Sequence, residues 1–237
     1  ARVTIWIGEI QWMIRHGLGY RRDPILRRLD HIETRDALLD LSDPAKPREA
    51  EWPAAEFIVG NPPFLGGKLL RRGLGDDYVD TVFAVYDGRV PREADFVTYW
   101  HEKARAQIET KTTRRAGLLA TQGIRGGANR RVLERIKETG DIFFARADDP
   151  WILAGAAVHI SFVGQDDGTD VERELGGRHV ASINPNLTSG IDFSQARRLS
   201  ENLGIAFMGD TKGGPFDIDA ETAARLLSQP NPDGRSN

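Results

Sequence analysis

Phe57-Ile58-Val59-Gly60-Asn61-Pro62-Pro63-Phe64 is the stretch on which the fold turns. A short apolar run without polar alternation, stopped abruptly by Asn-Pro-Pro, predicts a buried parallel strand that halts at its carboxyl end. Upstream, His31 to Arg35 alternates weakly into Asp36-Ala37-Leu38-Leu39, read as a short strand with Asp36 at its carboxyl end. A loop rich in Pro, Asp and Lys follows from Ser42 to Pro53. Downstream, residues 65–92 are rich in Gly, Arg and Asp and predict a mobile loop around a short helix. Helical patterns at 94–108 and 129–138 alternate with strand patterns at 116–121, 142–145 and 157–163.

Strands alternating with helices predict an α/β domain with a largely parallel sheet. The last two strands have little helix between them, which predicts an antiparallel end to that sheet. Before the deciding stretch, the apolar residues of 4–14 predict a buried helix ending near Gly17 and Gly19, with a polar connection at 21–28. Beyond Gly164 the chain is rich in Asn, Gly and Ser, with one helix at about Ala220–Leu227. We expect a catalytic half at 1–168 and a linker region at 169–237.

The 237 residues suffice for one substantial core with an appendage. A hydrophobic share of 40% and a charged share of 28% are those of ordinary globular proteins. No apolar run approaches a membrane span, and no signal-peptide pattern opens the chain. The absence of cysteine excludes disulfides, thiolate metal sites and cysteine nucleophiles, and fits a reducing cytoplasm. A formal charge of −3 argues against a wholly basic surface but leaves room for a local basic channel. The chain ends in a turn-like Pro232-Asp233-Gly234-Arg235-Ser236-Asn237. We therefore expect an internal segment of a longer protein.

In open α/β sheets ligands bind beyond the carboxyl ends of the strands, where Asn61-Pro62-Pro63-Phe64 is expected. Two prolines restrict the backbone and remove two N–H donors, leaving nearby carbonyls free to accept. The Asn61 amide adds an acceptor and Phe64 a flat apolar face. Together they suit a planar ring bearing an exocyclic amine, stacked on Phe64 and donating to the Asn61 side chain and the Pro62 carbonyl. The competing reading is a Pro-Pro turn with Phe64 in the core.

This loop resembles the fourth motif of the S-adenosylmethionine-dependent amino-methyltransferases, Asn/Asp/Ser-Pro-Pro-aromatic. That resemblance implies a partial Rossmann-like class I methyltransferase sheet and a base flipped out of duplex DNA. Asn61 followed by Phe64 leans towards adenine N6. Leu65-Gly66-Gly67-Lys68, the run Thr121 to Arg131, Pro150-Trp151 and Gly155-Ala156-Ala157-Val158 resemble the large single-chain type II restriction–modification enzymes. Gln122 departs from the Asn that this branch leads one to expect. The resemblance implies a role for Asp36 in accepting from the amino group of the cofactor's adenine. For Asp36 by itself, a helix cap is the other reading. It also implies that the tail after about residue 180 leads into a target-recognition domain. The family's glycine-rich first motif belongs upstream of Asp36 and after a strand. Thr4 to Gly19 reads as a helix that follows no strand, so we expect a half-built cofactor site and a chain inactive by itself.

Gly66-Gly67-Lys68 fails the phosphate-loop pattern, because Leu69 replaces Ser or Thr and Pro62 stands where the first Gly belongs. Lys68 either touches a DNA phosphate or is simply solvated. Arg125, Arg130 and Arg131 either line a backbone-binding face or are surface residues at a helix start; Arg71 and Arg72 carry less. The five histidines show no metal-ligand spacing, His159 reads as structural, and Asp76, Asp77, Asp80 and Asp87 form an acidic loop with nothing that fixes magnesium. We expect no metal. Alternatives that remain are a protein-glutamine or RNA amino-methyltransferase and a non-catalytic DNA-binding remnant.

Overall fold

A computed structural model describes residues 2–19, 31–153, 156–191, 200–202 and 218–229. The chain divides into two compact units, Ala1–Ser194 and Gln195–Asn237. The first holds α1 (Arg2–Arg15), β1 (Leu39–Asp40), β2 (Arg48–Glu49), β3 (Phe57–Gly60), α2 (Leu70–Leu74), α3 (Asp76–Val85), α4 (Thr98–Glu109) and β4 (Arg115–Thr121). It continues with α5 (Gly127–Thr139), β5 (Asp141–Leu153), β6 (Ala156–Asp166), β7 (Glu174–Leu175) and β8 (Arg178–His179). In the second unit the described residues hold a 3-10 turn at 200–202 and α6 (Ala220–Leu227), which is capped by Asp219 accepting from the Thr222 N–H at 2.7 Å.

Six strands form one sheet in the order β3-β4-β6-β5-β7-β8, while β1 and β2 pair separately. β3 is parallel to β4, and both β4 and β5 are antiparallel to β6. β3, β4 and β5 therefore run in one direction, and β6 is inserted between two of them in reverse. The α/β class and the reversed last long strand are as the sequence predicts, but that strand lies inside the sheet instead of at its end, so the sheet is mixed and not largely parallel. β5 is longer than the expected 142–145, because β6 pairs with it as far as Leu153 through two register shifts.

Burial follows the periodicities. β4 alternates between half-buried and buried positions, with Ala116, Leu118 and Ala120 inward. Leu133 and Ile136 face inward from α5 with Ile142, Ala145 and Val163 of the sheet. Ile183 and Leu187 join that same cluster, so the chain past β8 still packs on the sheet.

Several expectations are corrected. The segment 65–92 is a 3-10 turn and two helices. Leu70, Val79, Val82 and Tyr86 are buried there, and a positive φ at Gly75 (85°) lets the chain break between α2 and α3. Its acidic residues have structural partners: Asp76 and Asp77 lie in the first turn of α3, and Arg71 binds Asp76 at 3.0 Å and Asp80 at 2.6 Å. β3 is an edge strand rather than a buried one, with Val59 87% exposed. An apolar run reports that a strand prefers cover but not its place in the sheet order. The helix expected at 4–14 forms, yet Val3, Ile5, Ile7, Trp12 and Ile14 are exposed rather than buried. The connection at 21–28, Gly155, most of the Asn/Gly/Ser-rich tail and the turn at 232–237 lie outside the described residues. No helix among the described residues is long and apolar enough to cross a membrane.

Candidate active site

β3 delivers the chain to Asn61 at the carboxyl ends of β3 and β4. Pro62 is buried, Asn61 and Pro63 are exposed, and Phe64 is half-buried against the cluster containing Val97, Ala120 and Ile124. Among the described residues the Asn61 amide has no hydrogen-bond partner, so its oxygen is available to a ligand. Phe64 combines the two readings of it: one part of the ring packs on the core and the rest reaches the surface.

Asp36 is not at the end of a strand; β1 begins three residues after it. Its Oδ1 accepts from the N–H groups of Leu38 at 2.7 Å and Leu39 at 3.0 Å, closing a turn of the kind that short carboxylates favour. The turn is tied down from behind: Tyr86 donates to the Leu38 carbonyl at 3.2 Å and Trp52 Nε1 to the Ala37 carbonyl at 2.7 Å. The hydroxyl of Tyr78 is raised well above its ordinary pKa by burial and by the neighbouring Asp36 carboxylate.

A cavity of about 380 Å³ joins Arg35, Asp36 and Ala37 to Pro63, Leu74, Tyr78, Phe96 and Trp100. The fold thus brings Asp36 to the Pro-Pro-Phe loop across a space walled by three aromatic rings. Phe96 and Trp100 meet edge to face, with centroids 4.9 Å apart. Volume, aromatic walls and one acceptor carboxylate suit the aminopurine end of a nucleoside cofactor.

Among the described residues no fit for the rest of such a cofactor is formed. Thr4 to Gly19, read as lacking a Gly-x-Gly, does contain Gly17-Leu18-Gly19, but that run closes α1 and follows no strand. Gly17 has φ 68° and Leu18 N–H donates to the Met13 carbonyl at 2.9 Å, the geometry of a helix C-cap.

The predicted cations divide. Lys68 is exposed on the 3-10 turn that follows the loop. Arg125, in the turn after β4, donates to Asp148 at 3.0 Å and Gln122 at 3.2 Å, and Arg130 pairs with Glu134 at 2.9 Å. Those two are engaged within the protein. Arg131 is exposed and lines a separate cavity of about 430 Å³ with Arg92, Arg135 and Glu138. His159 binds Asp148 at 2.5 Å. Among the described residues no cluster of His, Cys, Asp or Glu has the arrangement to hold a metal.

Sequence reasoning missed Tyr78, Phe96 and Trp100, which read as ordinary core aromatics, and the side chains that hold the loop's exit. Asp95 Oδ1 accepts from the Gly67 N–H at 2.8 Å, and Asn129 binds Asp95 on both sides, at 2.7 and 2.8 Å. Asn129 was visible as the start of a helix, but its partner lies 34 residues away in sequence.

Comparison with known proteins adds the following. The family described as "MmeI, DNA-methyltransferase domain" matches residues 1–175. Among solved structures, the chain is similar to the type IIL restriction–modification enzyme MmeI in complex with DNA, at 26% identity and a TM-score of 0.48. The similarity covers 57% of this chain and 20% of that one, so the chain spans about a fifth of that enzyme. No curated protein matches.

Proposed function

Because the chain belongs to the MmeI DNA-methyltransferase domain family, we propose that it carries the acceptor-amine site of an adenine-N6 DNA methyltransferase within a restriction–modification enzyme. The observation that carries this reading is the exposed Asn61 amide, without a hydrogen-bond partner among the described residues, on a proline-restrained loop two residues from the wall of an aromatic cavity shared with Asp36. S-adenosylmethionine would supply the electrophilic methyl group.

The chain's own residues have three tasks. Asn61 Oδ1 and the Pro62 carbonyl accept the two N–H groups of a flipped adenine's amine, which directs the nitrogen lone pair out of the ring plane. Phe64 offers its exposed side to the base. The Asp36 carboxylate would accept from the amino group of the cofactor's adenine, with Tyr78, Phe96 and Trp100 lining the same cavity. The cofactor's sulfonium would be the leaving group, and the exposed loop leaves solvent free to take the one proton that the amine must release. Positioning of the two reactants provides most of the acceleration in such a direct transfer.

Lys68 is free to approach a phosphate, whereas Arg125 and Arg130 would have to exchange an acidic partner for one. Residues 1–168 constitute the catalytic half and 169–237 lead towards a target-recognition region. A cytoplasmic enzyme acting on double-stranded DNA is the corresponding cellular reading.

The test uses the natural gene product with labelled S-adenosylmethionine and a mixture of DNA, RNA and protein acceptors. We expect label as N6-methyladenine in DNA, and a loss of at least about a hundredfold in Asn61→Ala with the fold retained. Label in RNA or in protein glutamine would replace this reading with another amino-methyltransferase. Bound cofactor without any label would leave a non-catalytic DNA-binding remnant.

A further inference from the structure

The loop Asn61–Phe64 cannot hold itself, since Pro62 and Pro63 have no N–H to donate. Its entry is fixed by the parallel pairing of β3 with β4. Its exit is fixed from a distant part of the chain. The Phe96 N–H donates to the Leu65 carbonyl at 2.8 Å, and the Gly67 N–H donates to Asp95 Oδ1 at 2.8 Å. A Cβ on Gly67 would overlap the Glu93 carbonyl, so backbone meets backbone here.

Asp95 is itself held. Its N–H donates to Asn129 Oδ1 at 2.7 Å, and its Oδ2 accepts from Asn129 Nδ2 at 2.8 Å. The same Nδ2 donates to the Gly123 carbonyl, in the turn after β4, at 3.1 Å. Asn129 is buried and Asp95 half-buried. One pair of side chains therefore links the loop exit, the residues before α4, the turn after β4 and the first turn of α5.

Resting on the reading of this loop as the acceptor-amine site, we propose that Asp95 and Asn129 are a positioning pair that sets Asn61–Phe64 relative to the carboxyl end of β4. Neither touches substrate; they act through the Gly67 amide. Transfer between two bound reactants is sensitive to displacements of about 1 Å, which cost on the order of a hundredfold. The pair should thus govern turnover more than binding.

The donor pattern makes the pair testable by exchange of its members. In Asp95→Asn an amide NH₂ faces the Asn129 NH₂. In Asn129→Asp two carboxylates face each other and the Gly123 carbonyl. The double variant restores one donor against one acceptor between positions 95 and 129 and keeps an acceptor for Gly67, losing only the bond to Gly123.

In the natural gene product we expect each single variant to lower kcat for DNA methylation roughly 10- to 100-fold, with KM for cofactor changed less than about threefold. Amide hydrogen exchange across 64–70 should quicken in both. The double variant should recover roughly tenfold in kcat and most of the protection. Unchanged kcat and exchange in both single variants would overturn the proposal. So would a double variant as damaged as the single ones, since the complementarity of the pair would then not matter. If the wild type methylates no DNA while the exchange results hold, methyl transfer fails as the function and the pair stands as the loop's anchor.

Discussion

Asp36 divides its carboxylate between the chain and the cavity. Oδ1 serves the N–H groups of Leu38 and Leu39, and the residue also lines the aromatic space with Tyr78. Asp36→Asn keeps a side-chain oxygen for the turn while replacing the second acceptor with a donor. We expect it to leave the unfolding transition in place and to weaken cofactor binding about tenfold, measured by equilibrium dialysis with labelled S-adenosylmethionine. Asp36→Ala should lose the turn as well. An Asp36→Asn protein that binds cofactor as tightly as the wild type would show that this carboxylate is only a cap. The acidic residue was legible because short carboxylates recur at strand and turn boundaries. The cavity that Asp36 lines was not, since that depends on Tyr78 coming in from α3 and on Phe96 and Trp100.

α4 is the element on which the two halves of the site hang, and it is buried with an unusual share of polar groups. Glu102 is fully buried and receives two hydrogen bonds from Arg105, at 2.8 and 2.9 Å, and one from Arg135 of α5 at 3.3 Å. Lys103 donates to Glu49 and to the Ala50 carbonyl, with its ammonium 4.8 Å from the Trp52 ring centroid, which joins α4 to the strand pair behind Asp36. His101 is enclosed on α4 with no formed hydrogen bond at either ring nitrogen. Burial lowers its pKa to about 4, opposed only weakly by the nearby Leu119 backbone. In this window the unfolded chain binds the proton and the folded chain does not. The stability contributed by the neutral ring is therefore complete above the unfolded value near 6.5 and is lost as pH falls towards 4. The loss is about 3 kcal/mol across the window, by linkage. Urea unfolding at pH 7 and pH 4.5 should show this loss in the wild type, and His101→Leu should flatten that part of the profile. An unchanged slope in the variant would mean that water reaches the ring. The helical period of 98–109 was readable, but a helix with Thr98, His101, Glu102, Lys103 and Arg105 buried looks amphipathic only once its ion-pair partners are known.

At the scale of the whole molecule, β3 and α1 carry exposed apolar side chains among the described residues of the first unit. β3 presents its outer edge with Phe57 53% and Val59 87% exposed, and α1 presents Ile5, Ile7 and Trp12. An edge strand of this composition is a template for pairing with another chain. We expect residues 1–237 expressed by themselves to self-associate with rising concentration. Val59→Lys should reduce light scattering without changing the far-ultraviolet circular dichroism spectrum. Equal scattering in both would direct attention to α1 as the adhesive surface.

The amino-acid sequence by itself determined the alternation of strands and helices, the halt of a strand at Asn61-Pro62-Pro63-Phe64 and the reversal of the last long strand. Each is a local matter of apolar period, proline stereochemistry or connection length. It also carried the resemblance that the family match over residues 1–175 bears out. Only the tertiary structure decided that β3 lies at an edge and that 65–92 is helical. It alone assembled the cavity between Asp36 and Pro63 and joined Asp95 to both Gly67 and Asn129. These depend on contacts between residues far apart in the chain, where a side chain's role is set by which partner the fold brings within about 3 Å of it.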